Sequence, residues 1–332
     1  MDKSIRSRIG QLFVLGFPSE TPPSPFLDFI REEQIGGVIL FEENCRTNEV
    51  AKENIRIVNS CFNDVPPLIA VDQEGGRVCR LRGAPAEYRA AADYGQRGAL
   101  DHYREDYGRA AVLLASLGFN LNLAPVADLC LSAGSGVLDG RCFGDDPESV
   151  SQFVTASVRV AHQKGMLCCL KHFPGLGATE NDPHEAAVKT IYDRMVWPQR
   201  DRIPFAAGVD AGADLVMTTH LIAPSLDQHL VTESPTIIRE HLRHGLGFEG
   251  VVITDDLCMG GAEKMGDFGE RAVKAFLAGH DLLLFCHNYE AVIEGFEYFA
   301  GAVAAGDISE ERIWASLDRI AGIKLKLGHP VT

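Results

Sequence analysis

The chain has 332 residues, 46% of them hydrophobic, and a formal net charge of −15. That composition suits a folded globular protein and excludes a disordered one. With 46 acidic against 31 basic residues and no long basic run, nucleic acid and anionic membranes are excluded as expected partners.

The nine cysteines are scattered and form no CxxC pair, which argues against zinc-ribbon and thioredoxin-like motifs. They are expected to be reduced, mostly buried thiols of a cytoplasmic protein. The N-terminal MDKSIRSRIGQLFVLGF starts basic, but its apolar run is short and lacks a small-residue cleavage site, so it is not read as a signal peptide. No apolar stretch approaches the length of a membrane span.

Along the chain, short apolar runs alternate with longer amphipathic segments. The runs are GQLFVLGF from Gly10, GGVILF from Gly36, PLIAVD from Pro67, LNLAPVAD from Leu121, MLCCLKH from Met166, DLVMTTH from Asp214, GVVITDD from Gly250 and DLLLFCH from Asp281. Most are continuous rather than alternating, as expected of strands buried on both faces of a parallel sheet. The longest interval, from Asp72 to Leu121, is rich in glycine and arginine and is expected to build a binding surface. Asp146-Pro147 predicts the N-cap and first residue of a helix. Ser309 predicts the cap of a last helix with Ile313, Leu317 and Ile320 on one face and Gly328 at its end. Eight strands alternating with helices predict a single (β/α)8 barrel over residues 1–332, and no linker divides the chain. An open doubly wound sheet is the alternative, but the early G-x-G-x-x-G that would favour it is missing.

The ends of these runs carry ionisable groups: Asp72, Asp128, Lys171-His172, His220, Asp255-Asp256 and His287. In such barrels the C-terminal ends of the strands carry the active site. Charges at the ends of buried strands are costly without partners or water, so a shared polar cleft is the economical reading. Two chemistries could use it. One is metal-dependent hydrolysis with His172, His220, His287 and Asp255 as ligands, although the first strand lacks an HxH pair. The other is metal-free acid/base or nucleophilic catalysis by carboxylates. Spacing alone leaves both open.

The stretch KHFPGLGATENDPH, from Lys171 to His184, closely resembles the signature loop of family 3 glycoside hydrolases, in particular the bacterial β-N-acetylglucosaminidase branch. GQLFVLGF, GGVILF, VDQEGGRVCR, LNLAPVAD, DGRCFGDDP and GVVITDDLCMGG fit in the same order, so the likeness covers most of the chain. The resemblance implies a TIM-type barrel in its single-domain version, without the sandwich domain of many relatives.

It also implies roles. Asp255 matches the nucleophile of a retaining mechanism, and His184 the acid/base with Asp182 as its partner. Asp255 is favoured over Asp256 because neighbours on a strand point to opposite faces. Asp72, Arg80, Arg141, Lys171 and His172 match sugar-binding positions. Asp128 and His220 are read as supporting groups. The substrate implied is a GlcNAc-containing glycan such as a peptidoglycan-derived muropeptide, cut by a monomer without cofactor or metal. The alternatives are a β-N-acetylglucosaminide phosphorylase, a β-glucosidase of the same family, a metal-dependent barrel hydrolase and a non-catalytic sugar-binding relative. Two departures stand out. Pro183 replaces the usual serine between Asp182 and His184, and Leu176 stands where many relatives have a histidine.

Overall fold

The computed structural model describes residues 8–62, 65–130, 136–177, 179, 188–190 and 196–327. Each of the eight apolar runs supplies a strand: β1 (Phe13–Leu15), β2 (Gly37–Leu40), β3 (Leu68–Val71), β4 (Leu121–Asn122), β5 (Leu167–Phe173), β6 (Leu215–Thr218), β7 (Val251–Ile253) and β8 (Leu283–Phe285). All pairings between them are parallel, in the order β7-β6-β5-β4-β3-β2-β1-β8. A parallel bridge between Ile253 and Leu282 brings the two ends together and nearly closes the barrel. Every residue of these strands is buried, as the continuous apolar runs require.

The helices form the outer ring: α1 (Ser24–Glu33), α2 (Asn48–Asn59), α3 (Leu100–Leu117), α4 (Pro147–Gln163), α5 (Arg202–Asp210), the π-wound α6 (Ile237–His244), α7 (Phe268–Ala278) and α8 (Tyr289–Ala305), followed by α9 (Glu310–Lys326). Asp146 caps α4 by accepting from the Ser149 amide at 2.7 Å, and Ser309 caps α9 by accepting from the Arg312 amide at 3.2 Å. On α9, Ile313 and Ile320 are buried and Leu317 packs against the core at partial exposure. Gly328 lies outside the described residues. Among the described residues, no helix is long and apolar enough to cross a membrane.

Two irregularities prepare the C-terminal face. Strand β4 is short: beyond Asn122 the Cys169 amide goes to the Ala124 carbonyl at 3.0 Å and the Lys171 amide to the carbonyl of Pro125, a residue with no amide of its own, at 3.2 Å. Pairing resumes at the Val126–Lys171 bridge, where the Ala127 amide reaches the Lys171 carbonyl at 2.6 Å. Strand β5 runs on to Phe173, with its register against β6 shifted between Leu170 and Phe173. Such a shift re-aims side chains that strict alternation would send to opposite faces.

The barrel seam between β7 and β8 is held by a buried carboxylate. Asp281 accepts from the Val252 amide at 2.9 Å, Arg243 Nη2 at 2.6 Å, Ser316 Oγ at 2.6 Å and Arg319 Nη1 at 3.2 Å. One anion thus ties β7, α6 and α9 to β8. Removing it strands cations and an amide that have shed water. Asp281→Ala is expected to lower the unfolding free energy by about 3–5 kcal/mol, read as a lower urea midpoint at unchanged m-value.

Candidate active site

The polar ends of the strands meet in a cavity of about 760 Å³ at the C-terminal face. Its charged wall begins at Asp72, directly after β3. The chain then makes a tight antiparallel hairpin, Gln73–Gly75 against Val78–Cys79, turning through Gly75 at φ 89° and Gly76 at φ 57°. A Cβ on Gly75 would fall 2.4 Å from the Arg89 carbonyl, so glycine is required there. The buried Gln73 side chain organises this hairpin. Its oxygen accepts from the Arg80 and Leu81 amides at 2.9 and 3.1 Å, and its nitrogen donates to the Leu81 and Ala86 carbonyls at 3.0 and 2.9 Å. The long interval after β3 is therefore part of the site: it supplies Glu74, Arg77 and Arg80 to the cavity wall.

Lys171, on the shifted end of β5, places Nζ 2.6 Å from both Asp72 Oδ1 and Glu74 Oε1. Arg141 grips the other side of Glu74 in a two-pronged contact, Nε to Oε2 at 2.7 Å and Nη2 to Oε1 at 2.8 Å. Its Nη1 donates to the Val137 carbonyl at 3.0 Å, and Nη2 lies 3.3 Å from His172 Nε2. Arg80 completes the set, with Nη2 3.4 Å from Asp72 Oδ2 and its guanidinium over the Phe41 ring.

Burial by itself opposes every charge in this array. The partners reverse that. Lys171 and Arg80 hold the Asp72 carboxyl below its ordinary value, and Arg141 with Lys171 pulls Glu74 well below the carboxylate range. In return Asp72 and Glu74 raise Lys171, and Glu74 raises Arg141. The array is a charged lattice of fixed donors and acceptors, suited to hydroxyl-rich ligands.

Behind it, Asp128 fixes His172. Its Oδ2 accepts from the His172 amide at 3.1 Å and lies 2.7 Å from His172 Nδ1. The other oxygen accepts from the Leu176 amide at 2.7 Å. Leu176 itself lines the cavity, so its contribution is an apolar wall and a backbone donor.

Asp255 and Asp256 both line the cavity. The alternation argument for separating them does not apply, because β7 ends at Ile253 and both residues lie on the loop beyond it. Hydrogen bonding separates them instead. Asp256 is buried, and its Oδ1 accepts from the Cys258 and Cys286 amides, each at 2.9 Å. Asp255 is partly exposed, with Oδ1 accepting from the Asp256 amide at 2.8 Å. His220 lies buried beneath them, Nδ1 2.7 Å from Thr232 Oγ1 and Nε2 2.9 Å from the Asp256 carbonyl. Burial lowers its pKa, so it serves as a neutral brace.

The cavity thus brings together Asp72, Arg80, Arg141, Lys171, His172 and Asp255. Asp182, Pro183 and His184 lie outside the described residues. The alternative metal set of His172, His220, His287 and Asp255 is not assembled within ligand distance: among the described residues the one such group is elsewhere. His287 instead packs against the Phe41 ring at the cavity wall, 5.1 Å between centroids.

Residues 4–323 match the family model described as the glycosyl hydrolase family 3 N-terminal domain. The chain belongs to glycosyl hydrolase family 3. A β-hexosaminidase of Xanthomonas campestris pv. campestris (strain B100) is 34% identical over 280 residues, which cover 82% of this chain and 83% of the relative. One of Stenotrophomonas maltophilia (strain K279a) is 35% identical over 270 residues, 78% of each chain. Among solved structures, a family 3 β-N-acetylglucosaminidase from Paenibacillus sp. str. FPU-7 superposes with a TM-score of 0.94 at 32% identity, over 98% of this chain. The chain spans 62% of that protein's length. A β-N-acetylhexosaminidase from Beutenbergia cavernae DSM 12333 gives a TM-score of 0.87 at 30% identity, covering 96% of this chain and 98% of its own.

In this family 3 glycoside hydrolase, the residue that sequence reasoning passed over is Glu74. The signal was its spacing: two residues after Asp72 in VDQEGGR, it can share a side of extended chain with Asp72. Glu74 is the shared anion of Arg141 and Lys171, and it holds both cations in place. Glu74→Gln keeps the shape but removes the charge. It is expected to lower kcat/KM about 100-fold, equivalent to about 2.7 kcal/mol for weakened charge-assisted hydrogen bonds. Steady-state kinetics, with circular dichroism to check the fold, measures this.

Proposed function

We propose that the chain is an exo-acting, retaining β-N-acetylglucosaminidase that releases terminal GlcNAc from a peptidoglycan-derived muropeptide. The observation that carries this reading is Asp255, a partly exposed carboxylate in the same cavity as the Asp72, Arg141, Lys171 and His172 array. The hexosaminidase relatives support the GlcNAc unit, and the resemblance of the signature loop supplies the muropeptide.

In this mechanism the array takes the hydroxyls of the terminal sugar and fixes its anomeric carbon over Asp255. The Asp255 carboxylate attacks that carbon, the glycosidic C–O bond breaks, and His184 gives its proton to the departing oxygen. Water then attacks the same carbon and gives a proton to His184, and the Asp255 ester bond breaks. Two inversions leave the configuration retained. Asp182 orients His184 and stabilises its charged form. Asp256 takes no chemical step, because its carboxylate holds the Cys258 and Cys286 amides.

The proposal includes a single catalytic unit over residues 1–332, supported by the 98% coverage of the Beutenbergia chain, and action as a monomer. It places the protein in the cytoplasm, a reading supported by nine free cysteines, seven of them buried.

The test is a product assay on 4-nitrophenyl β-GlcNAc against the matching glucoside, with and without phosphate. The GlcNAc substrate is expected to be strongly preferred and to yield free GlcNAc in both buffers. GlcNAc-1-phosphate as the product would make the enzyme a phosphorylase. Asp255→Ala is expected to abolish turnover. His184→Ala is expected to cost about 10²–10⁴-fold on an unactivated disaccharide and much less on an aryl substrate with a good leaving group. Undiminished turnover of the disaccharide by the His184 variant would overturn the acid/base assignment.

A further inference from the structure

At the opposite, N-terminal face of the barrel, three side chains of different chemistry converge. His162 comes from the last turn of α4, Cys168 from the second position of β5, and Asp214 from the residue before β6. His162 Nε2 lies 2.8 Å and Cys168 Sγ 3.7 Å from Asp214 Oδ2. One ligand atom from each residue lies within 4.8 Å of the other two. Cys168 and Asp214 are fully buried, while the His162 side chain is 30% exposed. His162 also lines a cavity of about 440 Å³ with Met166, Leu167, Leu325 and Lys326.

We propose that His162, Cys168 and Asp214 bind one divalent transition metal ion of the zinc type. The site stands apart from the glycosidase reading and shares no residue with it. An imidazole nitrogen, a thiolate sulfur and a carboxylate oxygen are the donors that zinc selects, and water from the adjoining cavity supplies the fourth ligand. Tetrahedral zinc requires about 3.5 Å between sulfur and oxygen and about 3.3 Å between nitrogen and oxygen. The first separation is nearly met at 3.7 Å. The second, 2.8 Å, opens as the His162–Asp214 hydrogen bond gives way to the metal.

Binding proceeds by exchange of cations. Cys168 Sγ donates to Asp214 Oδ2 at 3.7 Å, so the site holds a proton on Cys168 before metal arrives. On binding, the S–H bond breaks, the sulfur–metal bond forms, and the proton goes to solvent. His162 Nε2, which donates to Asp214 Oδ2 in the metal-free site, passes its proton through water to Nδ1 and offers the lone pair so freed to the metal. Lys326 Nζ, 2.6 Å from Asp214 Oδ1 on a side chain that is 52% exposed, turns out to water. Thiolate and carboxylate then neutralise the divalent ion. The metal takes over from Lys326 in neutralising Asp214 and staples α4, β5 and the start of β6.

The test uses the full chain, metal-free and reduced by a phosphine, titrated anaerobically with Co²⁺. One equivalent is expected to give a thiolate-to-cobalt charge-transfer band in the near ultraviolet. Zn²⁺ is expected to bleach that band and to raise Tm. Cys168→Ser is expected to lose both the band and the Tm shift, whereas Cys258→Ser, at the sugar cavity, keeps them. Lys326→Gln removes the competing ammonium and is expected to tighten Co²⁺ binding severalfold. A wild-type chain without the band, or a band that persists in Cys168→Ser, overturns the proposal. Should Cys168→Ser fail to fold, Lys326→Gln must tighten binding and His162→Ala must weaken it; unchanged affinity in both overturns it equally.

Discussion

The active face depends on one ammonium group. Lys171 Nζ sits 2.6 Å from two carboxylates, Asp72 and Glu74, in a position from which water is almost wholly excluded. None of these charges is tolerable there alone. A buried carboxylate or ammonium costs several kcal/mol after relaxation, and the cost is met only because each charge has two or more partners. Arg141 and Arg80 extend the lattice at its two ends. The outcome is a wall of mutually held donors and acceptors facing the cavity.

The backbone explains how so many charges reach one place. Strict alternation would send Lys171 and His172 to opposite faces of β5, yet both line the cavity. The register against β6 shifts at this end of the strand, and Asp128 locks His172 by binding both its amide and its ring. A similar device operates after β7. There Asp256 is consumed in holding the amides of Cys258 and Cys286, and His220 holds its carbonyl from below. Asp255 is thereby presented by a rigid loop with its own carboxylate partly exposed. Two adjacent aspartates differ in exposure because their hydrogen bonds differ, not because a strand turns one away.

Much of this was legible in the sequence, and the limits have physical causes. The eight apolar runs could be read because strands buried on both faces need near-continuous hydrophobic side chains, and such runs stand out between amphipathic helices. Asp146-Pro147 and Ser309 could be read because a helix start has a local chemistry that needs no tertiary partner. The polar residues at the strand ends pointed to one cleft because burial would otherwise penalise each of them. Glu74 did not stand out, since a glutamate before Gly-Gly looks like an ordinary turn residue. Only folding brings Arg141, 67 residues away, against it. The π-wound α6 also had no local signature, and the register shift in β5 depends on pairing with strands distant in the chain.

The two faces of the barrel use buried charge in opposite ways. At the N-terminal face, the Asp214 oxygens receive His162, the amide and thiol of Cys168, and Lys326, and Asp281 is held by an amide, a hydroxyl and three arginines. Each of these anions is enclosed and joins elements far apart in sequence. At the C-terminal face, Asp72 and Glu74 are enclosed to the same degree of pairing, but their cations also face a cavity and retain capacity for a ligand. Asp255 goes one step further: among the described residues, its carboxylate accepts from a single neighbouring amide. The contrast runs along the barrel axis, from charges that stitch strands and helices together to charges that line the cavity. The partly exposed Asp255 follows a strand whose middle residue, Val252, is held by Asp281. The seam that Asp281 ties together thus lies beneath the loop that presents Asp255 to the cavity.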